Sequence, residues 1–163
     1  MIMKKFLLGF FLCAMFVCTT KTEANAQAKN AFYVELLGNG LLFSANYDFR
    51  FSETTSWGGR AGIGYIGVSD GDDGGGIVTI PVMVNNLLGK DGKYFEVGAG
   101  FTYVAGTGEL GDEELSDVVG TLSFKYRRQP VDGGFMWHVG ITPVFTENVF
   151  YPFWFGVGIG YSW

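Results

Sequence analysis

The stretch from Leu41 to Phe51 reads Leu41-Leu42-Phe43-Ser44-Ala45-Asn46-Tyr47-Asp48-Phe49-Arg50-Phe51, and its period decides the fold. Leu41, Phe43, Ala45, Tyr47, Phe49 and Phe51 fall on one side of an extended chain. Ser44, Asn46, Asp48 and Arg50 fall on the other. A period of two belongs to a β-strand, because successive side chains of a pleated backbone point to opposite faces. The division recurs near the end of the sequence, where Phe153, Phe155, Val157, Ile159, Tyr161 and Trp163 oppose Gly156, Gly158, Gly160 and Ser162. It recurs again where Phe135, Trp137, Val139, Ile141 and Phe145 oppose His138, Gly140 and Thr142. One face is apolar throughout; the other is polar or glycine.

Working outward from these segments, the same period predicts eight strands: Ala31–Leu37, Leu41–Phe51, Trp57–Val68, Ile77–Asn86, Tyr94–Val104, Val118–Arg128, Phe135–Phe145 and Phe153–Trp163. Most are close to the ~10 residues that a tilted strand needs to cross a bilayer. Asn39-Gly40, Asp91-Gly92 and Asp132-Gly133 between them are hairpin dipeptides, whose residues reach φ > 0 at little cost. The expected fold is all-β: an eight-stranded antiparallel up-and-down transmembrane β-barrel following an N-terminal signal peptide.

Volume decides which face is outside. An eight-stranded barrel has an interior only just wide enough for side chains to fill, and cannot hold this many Phe, Trp and Tyr rings. The glycine-bearing polar face fits the narrow lumen and the aromatic face fits lipid. With both strand termini on the periplasmic side, Ser52–Ser56, Gly89–Lys93 and Gln129–Gly134 become periplasmic turns. Gly38–Gly40, Ser69–Gly76, Ala105–Asp117 and Thr146–Pro152 become outer loops, so the two longest connections lie outside, as is usual for such barrels. Tyr33, Trp57, Tyr94, Tyr103, Tyr126, Tyr151 and Trp163 stand near strand ends, in the manner of interfacial aromatic girdles. Pro81, inside the fourth strand, cannot donate to a closed ladder, and a local bulge is expected there.

Residues 1–26 have the form of a secretory signal: Lys4 and Lys5, the apolar run Phe6 to Val17, then the small-x-small site Ala24-Asn25-Ala26. The run is shorter than the ~20 residues of a membrane-spanning helix. Cys13 and Cys18 both fall in this segment, and Val17 before Cys18 disfavours a lipoprotein site. The barrel domain then occupies residues 27–163 and contains no cysteine. Eight basic and fifteen acidic residues remain, a net charge of about −7. That balance excludes the basic face a nucleic-acid partner requires. Charged residues make up only 17% of the chain against a usual ~25%, as suits an exterior that does not face water.

Taken together, these segments make the chain resemble the small outer-membrane β-barrel families of Gram-negative bacteria, the OmpA-domain and OmpX-like group. The most specific part is Phe155, Val157, Ile159, Tyr161 and Trp163, which is similar to the aromatic-ended signal read by the barrel-assembly machinery. The stretch Phe32 to Leu41, continuing to Asn46-Tyr47, also resembles such barrels. The resemblance implies insertion in the cell outer membrane; the expected partners are membrane lipid and lipopolysaccharide, and the expected state is a monomer. It does not imply one activity.

The residues that could carry chemistry face inward: Glu35, Asp48, Arg50, Arg60, Glu96, Lys125, Arg127 and His138. If Phe51 pairs with Trp57, Asp48 faces Arg60; if the next-to-last hairpin closes tightly, Lys125 faces His138. Unpaired charge in a dry lumen would cost several kcal/mol, so an interior ion-pair network is the ordinary reading. A gated ion path or a catalytic carboxylate–histidine pair is the sharper one. No motif joins His138 to Ser44, Ser123, Glu35 or Glu96 as a triad would require. The acidic loops, with Asp70, Asp72 and Asp73 in one and Glu109, Asp112, Glu113, Glu114 and Asp117 in the other, lack calcium-loop spacing. No metal-ligand or cofactor motif is present, and the Gly-x-Gly pairs lie in mid-strand rather than at a strand–helix turn. The expectation is a non-enzymatic envelope protein that is structural or presents surface loops. The alternatives are an outer-membrane lipid-modifying enzyme using His138 and, behind it, a soluble lipocalin-like barrel. A diffusion pore is disfavoured by the width of an eight-stranded lumen.

Overall fold

The structure, a computed structural model, describes residues 28–70, 73–108 and 117–163. The expected signal peptide, residues 1–26, and Asp72, Glu109, Asp112, Glu113 and Glu114 lie outside the described residues. The strands are β1 (Asn30–Leu37), β2 (Phe43–Arg50), β3 (Trp57–Asp70), β4 (Asp73–Lys90), β5 (Lys93–Gly108), β6 (Asp117–Arg128) and β7 (Gly134–Ile141). Two short pieces follow, β8 (Val144–Phe145) and β9 (Phe150–Tyr151), before the final β10 (Phe155–Ser162). Consecutive long strands pair antiparallel, β7 pairs with β10, and β10 returns to β1. The sheet is therefore a closed eight-stranded antiparallel barrel without a free edge along its body.

Several boundaries differ from those the period predicts. The fourth strand begins at Asp73 rather than Ile77 and reaches Lys90, and the third and fifth extend with it. Most of the expected Ser69–Gly76 loop is thus a ladder, from Gly67↔Gly76 to Asp70↔Asp73. Glycine carries no alternation of side chains to reveal a strand, yet its backbone pairs as well as any other. The seventh strand breaks at Thr142-Pro143 and resumes as β8 in the same register on β6, with Gly120↔Phe145 continuing Phe124↔Ile141. The Pro143 carbonyl still accepts from Leu122 N at 2.9 Å, so only the donor that proline lacks is missing. The expected Thr146–Pro152 loop contains β9, which forms a small hairpin with β8.

Pro81 causes no bulge. Ala61↔Val82 and Gly64↔Thr79 keep one register across it, and only the two pairs between them are missing. On its other side Pro81 stays paired with Thr102. The proline simply omits its bond to β3.

Polarity runs opposite to that of a water-soluble domain. Among the described residues, twenty buried side chains are polar or charged and nine are apolar, whereas thirty-two large apolar side chains are exposed. Within Leu41–Phe51, Ser44, Asn46, Asp48 and Arg50 are buried while Phe43, Tyr47, Phe49 and Phe51 are exposed. Of the expected girdle, Tyr33 and Tyr94 point inward instead, 1% and 2% exposed, because they share the faces of Glu35 and Glu96. Trp57, Tyr103, Tyr126, Tyr151 and Trp163 remain outside.

Candidate functional site

All eight sequence-predicted interior residues are buried, and no chain segment other than the barrel wall is needed to bring them together. They arrive on alternate positions of β1 (Glu35), β2 (Asp48, Arg50), β3 (Arg60), β5 (Glu96), β6 (Lys125, Arg127) and β7 (His138). Each carboxylate collects several partners. Asp48 takes a hydrogen bond from Arg50, a forked pair from Arg127 at 3.1 and 3.2 Å, and one from Asn85 Nδ2 at 2.6 Å. Arg60 stands opposite Asp48 in the ladder, with Nε 3.7 Å from Oδ2. Glu96 accepts from Arg60 at 2.5 Å, from Arg127 at 3.0 Å and from the Ser123 hydroxyl at 3.0 Å. Glu35 binds Lys125, His138 Nε2 at 3.0 Å and the Asn39 backbone N–H at 3.3 Å.

The expected facing of Lys125 and His138 is wrong by two residues. Arg127 stands opposite His138, and Lys125 stands opposite Gly140. The hairpin between β6 and β7 begins pairing only at Arg128↔Trp137, because Gly134 and Met136 are held by β10 alone. A two-residue slip leaves every side chain on its own face, so the interior set survives the error. Lys125 and His138 meet through Glu35 instead of each other.

The Gly38–Gly40 connection is the larger departure from expectation. It folds into the barrel as a turn of 3₁₀ helix, with all three residues buried. Asn39 Nδ2 donates to Thr121 at 3.0 Å, and its Oδ1 accepts from Arg60 and Lys125, each at 3.0 Å. The Asn39 carbonyl accepts from Thr102 at 2.5 Å and the Gly40 carbonyl from Thr79 at 3.0 Å. Leu37 and Leu41 flank the turn at φ 58° and 73°, a left-handed conformation costing a leucine about 1–3 kcal/mol. Alternation marks Thr79, Thr102 and Thr121 as inward, but a loop has no period, so nothing in the sequence singles out Asn39.

His138 is wholly buried, edge-on to the Tyr33 ring at a centroid distance of 4.8 Å. Arg60 and Arg127 lie over the same ring at 5.2 and 5.9 Å. The inward hydroxyls of Ser123 and Ser44 are engaged elsewhere, Ser123 with Glu96 and Ser44 with Asn46. What the interior does chemically is neutralise and crosslink, joining seven of the eight staves by charge-assisted hydrogen bonds.

Comparison with protein-family models, with curated proteins and with solved structures finds no match.

Proposed function

We propose that this chain is an outer-membrane β-barrel of the OmpA-domain and OmpX-like kind, with a non-enzymatic role as a structural or loop-presenting envelope protein. The observation that carries the reading is the inverted polarity of the closed barrel. Phe101, Phe135, Phe155, Ile159 and Tyr161 are each about half or more exposed, over a lumen of buried charge. A contiguous apolar exterior of this kind is unstable in water and stable against acyl chains. An open apolar groove of about 320 Å³ between Phe32, Phe135 and Tyr161 adds a furrow where such a chain could lie. Closure of the sheet supports the same reading, because in hydrocarbon every backbone group must be paired.

The interior supports a rigid stave-to-stave brace over a conduit. Arg60, Glu96, Arg127 and Asp48 span the lumen in mutual contact, and Asn39 fills it above them. The test is to fractionate cells expressing the chain and run the membrane fraction on a gel with and without boiling. The expected result is a detergent-extractable protein whose mobility changes on heating. Recovery in the soluble fraction without detergent, with one mobility throughout, would refute the reading.

A further inference from the structure

Asn39-Gly40 is a dipeptide suited to an outward two-residue hairpin turn, in which positive φ is easily met. The chain does the opposite, tucking the turn inward and placing the left-handed strain on Leu37 and Leu41. Six hydrogen bonds from four strands and β1 hold it there. The central pair is unusual in its charge. Arg60 Nη1 and Lys125 Nζ, both cationic, converge on one neutral amide oxygen, Asn39 Oδ1. A carboxylate oxygen in that position would accept bonds roughly twice as strong. Arg60 and Lys125 also pair with Glu96 and Glu35, and among the described residues the lumen holds four Arg or Lys side chains against three carboxylates, Glu35, Asp48 and Glu96, an excess of one cationic charge.

We propose that the barrel mouth at the β1–β2 junction is a binding site for a small carboxylate, and that the Gly38–Gly40 turn is a hinged stopper occupying it in the ligand's absence. The incoming carboxylate replaces the Asn39 side chain between Arg60 and Lys125, and the Thr121 hydroxyl turns from acceptor to donor. Thr79 and Thr102, released from the turn's carbonyls, remain as hydroxyls around the same opening. The displaced turn relaxes into the outward hairpin its sequence favours, relieving Leu37 and Leu41. Charge complementarity and backbone relaxation then act together against the turn's own hydrogen bonds, which keep it seated while no carboxylate is present. This site goes beyond the envelope role and operates in detergent as in lipid.

The test is a ¹H–¹⁵N spectrum of the full barrel in detergent micelles, titrated with acetate and, as a neutral control, with formamide. Acetate is expected to shift the Asn39 and Gly40 amide signals and to speed their hydrogen exchange about tenfold, while formamide leaves both unchanged. Asn39→Asp, which tethers a carboxylate at the site, is expected to slow that exchange about tenfold and to abolish the acetate response. Signals that ignore acetate in the wild-type barrel overturn the proposal, as does an Asn39→Asp turn that still answers to it. If Asn39→Asp fails to fold, the wild-type titration decides alone.

Discussion

Arg127 bridges Asp48 and Glu96 from β6 and lies over Tyr33 from β1. Arg127→Met keeps most of the side chain's bulk and removes the charge, leaving two buried carboxylates short of a partner. The expected loss is about 3–5 kcal/mol of folding stability, read from urea unfolding in detergent. An unchanged midpoint would show that Arg50, Arg60 and Asn85 suffice without it. Gly158 makes a different residue-scale prediction. A Cβ there would stand 2.5 Å from His138 Nε2, so Gly158→Ala must push the imidazole off Glu35, at a cost of about 1–3 kcal/mol by the same assay. At this scale alternation made the eight interior residues legible, because inward and outward follow from period alone. It does not make their partners legible: period leaves the hairpin closure that would face Lys125 with His138 undetermined, and Asn39 lies where no period exists.

Two connections with similar dipeptides fold in different ways, and the contrast explains what local sequence decides. Asp91-Gly92 forms a tight two-residue turn beyond Lys90↔Lys93, with φ 56° and 75°. Local preference prevails there, and the Gly92 carbonyl accepts from Gln129 N at 3.0 Å. Gly92→Val is expected to cost about 1–3 kcal/mol, since a branched residue resists that φ. A Cβ there would also approach Gln129 O at 2.9 Å. Asp91→Asn should stay within about 0.5 kcal/mol in the same measurement. Asn39-Gly40 turns inward instead because the lumen supplies partners that outweigh the local turn. The strands themselves were legible wherever bulky side chains alternate, as in β2 and β10. Their ends are hidden wherever glycine erases the pattern, as at Gly74–Gly76, and Pro81 needs no bulge because one missing donor leaves the register intact.

For the molecule as a whole, lipid and water around the exterior predict different responses to the same substitution. Val82 points outward from the middle of β4, between Ala61 and Phe101 of its neighbours. In a lipid bilayer Val82→Arg is expected to lower unfolding stability by about 2–4 kcal/mol, the cost of a guanidinium near mid-depth. For a barrel standing in water the same change would be close to neutral and would improve solubility. The most direct measurement of the membrane reading is refolding of the denatured barrel domain in buffer and in phospholipid vesicles, followed by gel mobility without boiling and by protease resistance. A lipid-facing exterior predicts a shifted, protease-resistant band with vesicles and an aggregated, protease-sensitive chain without them. The same compact, resistant species formed in plain buffer would contradict it.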